Sequence, residues 1–259
     1  MKIGIFGLGE AGSLIATDLL AEGVEVLAYD PAAVETPVGV VRTERPEKVV
    51  TDCDTVMALT AGQDALCAMQ QALDEIPINL LYADFSTNSV ETKKQLADIA
   101  CKKGFPFVDI ALMGTVPGKG LRTPMLAAGS GADKLIKNWH QLPVSIDFVS
   151  EYAGDAAMRK LLRSIMMKGL AATIIEALRA AEAAGCQDWL WTNIADEIDR
   201  ADAQMISRFV SGTGKHYGRR IHEMEASQAL LKQLGVTPLM TTATLESLRQ
   251  VETLGVPNI

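Results

Sequence analysis

KIGIFGLGEAGSLIATDLLAEGVEVLAYD, residues Lys2 to Asp30, reads as strand, glycine turn, helix, strand and acid. Ile3, Ile5 and Phe6 form a short apolar run of the kind a buried strand carries. Gly7-Leu8-Gly9-Glu10-Ala11-Gly12 follows, a G-x-G-x-x-G. Leu14, Ile15, Leu19 and Leu20 then recur at helical spacing up to Gly23, and a second apolar run from Val24 to Tyr29 ends on Asp30. The three glycines serve different ends. Gly7 permits the tight turn, Gly9 leaves room for a pyrophosphate against the backbone, and Gly12 lets the helix sit close on the sheet. The helix N-terminus offers unpaired N–H groups and a partial positive charge to phosphates. Asp30 is placed to accept hydrogen bonds from the adenosine ribose and to repel a 2′-phosphate, which favours NAD over NADP. A lone glycine triplet recurs by chance; strand, helix, second strand and acid at the required spacing make this one specific.

Outward from this stretch, Thr55–Thr60, Leu80–Asp84 and Phe107–Ile110 read as further buried strands, with a short one at Val38–Val41. Helices are expected at Glu47–Asp54, Asp64–Asp74 and Val90–Lys103, and late strands, with an antiparallel arrangement open to them, at Met125–Ala128 and Ile146–Val149. Strands alternating with helices imply a parallel sheet built from right-handed crossovers, with ligands beyond the strand carboxyl ends. That places Gly7–Gly12, Thr60–Gly62 and Ser86–Asn88 around one crevice, with Thr60 and Thr87 as cofactor contacts. The Gly/Pro/Thr-rich segment Asp109–Pro124 is either a surface loop or a substrate contact.

After Gly154 the strand signal stops. Asp155–Ala184 reads as one long helix that is apolar on nearly every side (Leu161, Leu162, Ile165, Met166, Leu170, Ile175), and such a helix is buried in a larger core or an oligomer. Further helices are expected near Asp188–Ile198, Asp199–Val210, Lys215–Leu234 and Met240–Leu254, separated where glycines cluster at Gly212–Gly214 and Gly235–Pro238. The expected architecture is an α/β Rossmann-type N-terminal domain over residues 1–150 and an all-α domain over residues 151–259 that serves substrate binding and dimerisation, in a homodimer.

Composition narrows the function. The 259 residues are 48% hydrophobic and 22% charged, enough for a sizeable core, and the formal net charge is −8. That acidity argues against nucleic-acid and anionic-membrane partners. No apolar stretch free of charges reaches membrane-spanning length, and the chain enters a strand at once, which argues against a signal peptide. The four cysteines, Cys53, Cys67, Cys101 and Cys186, have no C-x-x-C or metal spacing and read as reduced thiols of a cytoplasmic protein. No H-x-x-H and no G-x-S-x-G occurs, so neither a metal site nor a hydrolase triad has support.

Three clusters of polar residues remain. Lys160, Ser164 and Lys168 line one face of the long helix with Arg163 beside them; cations there either snorkel to water or carry chemistry. His216, Arg219, Arg220, His222 and Glu223 share a later helix, where an arginine pair binds an anionic group or forms a solvated face. Asp196, Asp199 and Asp202 read as an exposed acidic face.

Four segments in fixed order resemble the β-hydroxyacid dehydrogenases, the family of 3-hydroxyisobutyrate and 6-phosphogluconate dehydrogenases. They are GLGEAG (Gly7–Gly12), DFSTNS (Asp84–Ser89), FVDIALMG (Phe107–Gly114) and GDAAMRKLLRS (Gly154–Ser164). VDIALMGTVPGKG and HYGRRIHEME look more like a less characterised branch with its own C-terminal helical domain. The resemblance implies NAD(P)-dependent hydride transfer to or from a small, anionic 3-hydroxy acid or related hydroxy compound. It implies Lys160 as general acid/base and Met113, Gly114, Thr115, Ser164, Arg220 and His222 as substrate contacts. Burial and a neighbouring cationic nicotinamide would draw the Lys160 amine towards neutrality. The chain departs from the family at Met113-Gly114-Thr115, where Ser-Gly-Gly is usual, at Ser164, where Asn is usual, and at His222-Glu223, where Lys-Asp is common. Reduction of imines on the same scaffold, and NAD binding without turnover as a sensor, are the competing functions.

Overall fold

The computed structural model describes residues 1–32 and 34–258. The opening stretch forms β1 (Lys2–Phe6), α1 (Glu10–Ala21) and β2 (Glu25–Tyr29). Ile3 and Ile5 are fully buried, and α1 turns Gly12, Ile15, Ala16 and Leu19 inward at the three-and-four spacing of a helix face. Gly23, at φ +75°, takes the left-handed conformation just past the helix end. The chain continues through β3 (Val41–Arg42), α2 (Pro46–Asp52), β4 (Thr55–Ala58), α3 (Ala65–Ala72), β5 (Leu81–Asp84), α4 (Val90–Lys103), β6 (Phe107–Leu112), β7 (Met125–Ala128), α5 (Ala132–Asn138) and β8 (Ile146–Ser150).

Among the described residues these strands make one sheet in the order β3-β2-β1-β4-β5-β6-β7-β8. The first six run parallel; β7 pairs antiparallel with β6, and β8 parallel with β7. Strand order therefore reverses between β1 and β4, where a ligand crevice opens beyond the carboxyl ends. One core lies on the face holding Ile3, Ile15, Leu19 and Trp139, the other on the face holding Phe6, Val49, Met69, Tyr82 and Leu96. Burial on both faces explains the continuous apolar runs of the central strands. The expected strand at Val38–Val41 begins only at Val41, and α5 was not anticipated: it is a two-turn segment with too few apolar positions to announce itself.

The polypeptide divides into two units, residues 1–163 and 164–259. The division lies inside α6 (Asp155–Ala183) rather than between residues 150 and 151. The first turn of α6 belongs with the sheet because the Asp109 carboxylate on β6 accepts hydrogen bonds from the backbone N–H groups of Gly154 and Ala157, both at 3.0 Å. The second unit comprises the rest of α6, then α7 (Gln187–Asp199), α8 (Ala203–Gln233) and α9 (Leu239–Leu254). Gly212–Gly214 does not separate two helices; α8 runs through it, and the backbone leaves helical geometry at His216 instead (φ −128°, ψ 22°). Glycine tolerates helical angles, so it marks a break only where packing makes one.

Within the second unit, Glu176 of α6 reaches the start of α9. Its carboxylate accepts from the N–H of Met240 (2.7 Å), the N–H of Thr241 (2.8 Å) and the Thr241 hydroxyl (2.6 Å). Burial works to raise its pKa, and the hydrogen bonds from Thr241, Met240 and Leu239 outweigh it, so the carboxyl lies below its ordinary value. No helix among the described residues is long and apolar enough to cross a membrane.

Candidate active site

The loop after β1 uses its three glycines as the sequence leads one to expect. Gly7 sits at φ +94°, and a side chain there would press on the Leu59 carbonyl at 2.7 Å. A Cβ on Gly12 would collide with the Gly7 carbonyl, while one on Gly9 would meet nothing within 4 Å. The close packing and the open space are thus divided between two glycines, as a backbone that receives a pyrophosphate requires. Gly9 is the N-cap of α1 and offers no side-chain cap, which leaves the first-turn N–H groups of Glu10 and Ala11 for a ligand.

Asp30, at the end of β2, is held in a set orientation. Its Oδ2 accepts from the N–H of Leu8 at 2.7 Å and its Oδ1 from the N–H of Ala32 at 2.8 Å. The carboxylate therefore braces the glycine loop as well as facing the pocket, a role its position in sequence did not reveal. Arg42 on β3 clamps the turn after Asp30 from outside by donating to the carbonyls of Asp30, Ala32 and Val34. Gly7, Gly9, Asp30, Leu59, Thr60 and Ala68 line part of a cavity of about 420 Å³. The Thr60 hydroxyl is buried at its rim without a hydrogen-bond partner. A cavity of this size, a braced carboxylate, uncapped N–H groups and an orphan hydroxyl fit an adenine dinucleotide.

The second half of the site lies beyond β5 and at the start of α6. Thr87 accepts a hydrogen bond from the Lys160 ammonium at 2.9 Å, between residues 73 apart in the chain. The turn that carries Thr87 is tied down: the Asn88 amide donates to the Gly62 carbonyl (2.8 Å) and to the Ser86 hydroxyl (2.9 Å), and Ser86 donates to Asp84 (2.8 Å). The β4 and β5 loops are thereby joined, and the amine of Lys160 meets the β5 loop at Thr87.

Met113, Gly114 and Thr115 follow β6. Met113 donates its N–H to the Pro124 carbonyl at 2.7 Å, and Gly114 and Thr115 are less enclosed than the strand before them. The loop beyond is anchored where Asp18 of α1 accepts the N–H of Leu121 at 2.7 Å. Ser164 opens the helical unit and is half-buried. Arg220 donates to the Thr213 hydroxyl across the kink in α8, whereas His222 is exposed and lies 3.4 Å from Glu225. Among the described residues no cluster of His, Cys, Asp and Glu is arranged to hold a metal.

Reading the residues one by one missed Lys93. It is 1% exposed and lies 2.7 Å from Asp84 and 3.1 Å from Asp109. The signal was present: Lys93, Leu96 and Ala100 sit at i, i+3 and i+7, so a lysine occupies the buried stripe of α4.

Residues 2–140 match the model of the NAD binding domain of 6-phosphogluconate dehydrogenase. The chain belongs to this family. Residues 181–251 of this family member also match a domain of unknown function, DUF1932, in keeping with a branch that has its own helical domain. A Mus musculus protein, cytokine-like nuclear factor N-PAC, is 27% identical over 190 residues, which are 71% of this chain and 34% of that protein. The chain thus spans about a third of the length of that relative. An uncharacterized 28.5 kDa protein from Methanothermus fervidus is 24% identical over 97% of this chain and 99% of its own.

Among solved structures, a conserved protein of unknown function, described as structurally similar to 3-hydroxyacid dehydrogenases, is 26% identical. The match covers 99% of this chain and all of that one, with a TM-score of 0.62. An imine reductase from Streptomyces aurantiacus superimposes with a TM-score of 0.81 at 16% identity, over 100% of this chain and 96% of that one, a likeness of fold alone. The NAD-binding, dehydrogenase-like fold is thereby established, with a sheet dominated by parallel strands followed by helices.

Proposed function

We propose that the protein is an NAD-dependent oxidoreductase that moves hydride between the nicotinamide and a small 3-hydroxy acid or related hydroxy compound, with Lys160 as general acid/base. The observation that supports this reading is the Lys160–Thr87 hydrogen bond, which brings an amine to the loop beyond β5, and that loop is tied through Asn88 to Gly62 beyond β4. Gly9, the first turn of α1, Asp30 and Thr60 would hold the cofactor, which supplies the hydride-transferring ring when bound. Lys160 would accept the proton of the substrate hydroxyl during oxidation and return it during reduction. Gly114, Thr115 and Ser164 would position the substrate, with Arg220 or His222 for its anionic group.

The braced Asp30 carboxylate supports NAD(H) over NADP(H) by at least about tenfold, roughly 1.4 kcal/mol. Fluorescence titration of the two reduced cofactors checks this, and equal affinities would overturn it. The apolar side chains exposed on the helical unit, Ile165, Met166, Trp189 and Trp191 among them, support a homodimer in which a second copy covers them.

The deciding variant is Lys160→Met, which keeps an unbranched apolar stem and removes the amine. We expect kcat to fall by about 10²–10⁴-fold with little change in NADH affinity. Lys168→Met, on the exposed part of α6, is the control; loss of turnover there and not in Lys160→Met would mean that the wrong lysine is assigned. The substrate panel should pair hydroxy acids with cyclic imines, because imine reductases share this fold. Turnover of the imines alone would move the reaction to C=N. Tight NADH binding with no turnover of any compound would leave a nucleotide-binding sensor.

A further inference from the structure

The buried Lys93 joins the two pieces of backbone that hold the Lys160–Thr87 pair. Its Nζ lies 2.7 Å from Asp84 Oδ2, donates to the Asp84 carbonyl at 2.9 Å, and makes an ion pair rather than an aligned hydrogen bond with Asp109 Oδ1 at 3.1 Å. All three side chains are 1% exposed or less. Each carboxylate also holds a second element. Asp84 accepts from the Ser86 hydroxyl (2.8 Å) and so orients the turn that presents Thr87. Asp109 accepts from the N–H groups of Gly154 and Ala157 and so fixes the first turn of α6, immediately ahead of Lys160. Lys93 and Lys160 both line one minute cavity, together with Ser86, Thr87 and Ala157.

A buried lysine between two aspartates is costly as a stabilising device, since apolar packing of similar volume often does as well or better. Its distinct capability is directional. Asp84 and Asp109 are already neighbours in the ladder of β5 and β6, and one ammonium bridges their side chains, so the turn held by Asp84 and the helix start held by Asp109 rest on a single cation. The helix N-terminus contributes partial positive charge to Asp109, so two carboxylates and one ammonium are tolerated in the same place.

We propose that Lys93 is a positioning residue: it locks the Thr87 turn to the N-terminus of α6 so that the Lys160 amine stays at hydrogen-bond distance from Thr87. The consequence for turnover rests on the acid/base reading of Lys160; the geometric claim does not. Lys93→Met alone would leave two facing carboxylates and is a poor test. The double variant Lys93→Met/Asp84→Asn removes one cation and one anion, and so keeps the formal charge of the cluster.

The measurement is the spectrum of the full-length chain after reductive methylation with ¹³C-formaldehyde, with the Lys160 resonance assigned by its loss in Lys160→Met. In the wild type that resonance is expected to stand apart from those of the exposed lysines. In the double variant it is expected to merge with them, as in Thr87→Val, while circular dichroism and NADH affinity stay unchanged. With an authentic substrate, kcat is expected to fall about tenfold to a hundredfold at constant KM, the scale on which misplaced groups act. A folded double variant whose Lys160 resonance has not moved overturns the proposal and leaves the cluster a purely stabilising one. If the double variant does not fold, Lys93→Arg, which keeps the charge but not its placement, is read by the same criterion: a shifted resonance supports the proposal, an unmoved one overturns it. Normal turnover by Lys160→Met would remove the proton-transfer reading yet leave the resonance result standing, so the two ideas fail separately.

Discussion

In the sheet unit Ile3, Ile5, Ile15, Leu19 and Trp139 have no exposure, while in the helical unit Ile165 is 72%, Trp189 66%, Trp191 62% and Ile206 60% exposed. Both units draw on the same apolar residue types, and they bury them by different means. A parallel sheet with helices on its faces closes its own core. In the helical unit the buried side chains among the described residues are few, Ala181, Leu231 and Leu245 with Glu176 and Thr241, the last two joined by hydrogen bonds at the start of α9. Burial of a large apolar side chain is worth about 1.5–3 kcal/mol, which is the gain the exposed side chains of the helical unit forgo. One unit buries its large apolar side chains within itself; the other leaves many of them exposed.

The largest effect is expected where the sheet unit is tightest. Gly12→Ala sets a methyl group against the Gly7 carbonyl and should weaken NADH binding at least about a hundredfold, some 2.7 kcal/mol, by fluorescence titration. Gly169→Ala on α6, where a Cβ meets nothing within 4 Å, should instead stabilise by about 0.5–1 kcal/mol. Comparable damage at both positions would erase the contrast between the units.

Next comes association. Light scattering at micromolar concentration should give a dimer, and Ile165→Asp should weaken it at least about tenfold, because a charge replaces an apolar side chain at the covered face. A wild-type monomer would show that the exposed apolar face needs no second copy.

The smallest effect concerns the cap on α9. Glu176→Gln keeps the size but loses the charge, and should lower stability by about 1 kcal/mol at neutral pH in thermal melts. The folded carboxyl lies below its ordinary value of 4.5, so its contribution is present above that pH and fades as the pH falls through the depressed value. The melting temperatures of variant and parent should therefore converge in acid. A gap independent of pH would place the stabilisation in packing rather than charge.

Lys2–Asp30 carried its own answer because local spacing dictates each part: a period of two for the strand, three to four for the helix, and glycine wherever a Cβ does not fit. The helix Val90–Lys103 and the strand Met125–Ala128 were legible to the residue for the same reason. The resemblance pointed to Lys160, but chain spacing could not distinguish an amine over the crevice from one that snorkels to water. Contact with Thr87, 73 residues away, is created only when β5 and the start of α6 are brought together. Lys93 shows the same limit from the other side: its period marked it as buried, and only the assembled sheet supplied Asp84 and Asp109 as the charges that make burial tolerable. The pairing of β7 against β6, the break of α8 at His216 rather than at its glycines, and the role of Asp30 as a brace for Leu8 were likewise decided by neighbours distant in sequence. Backbone preferences are local and can be read from a few residues. The position of a charge relative to another charge is a property of the packed chain, and at the candidate site that relation decides what a lysine can do.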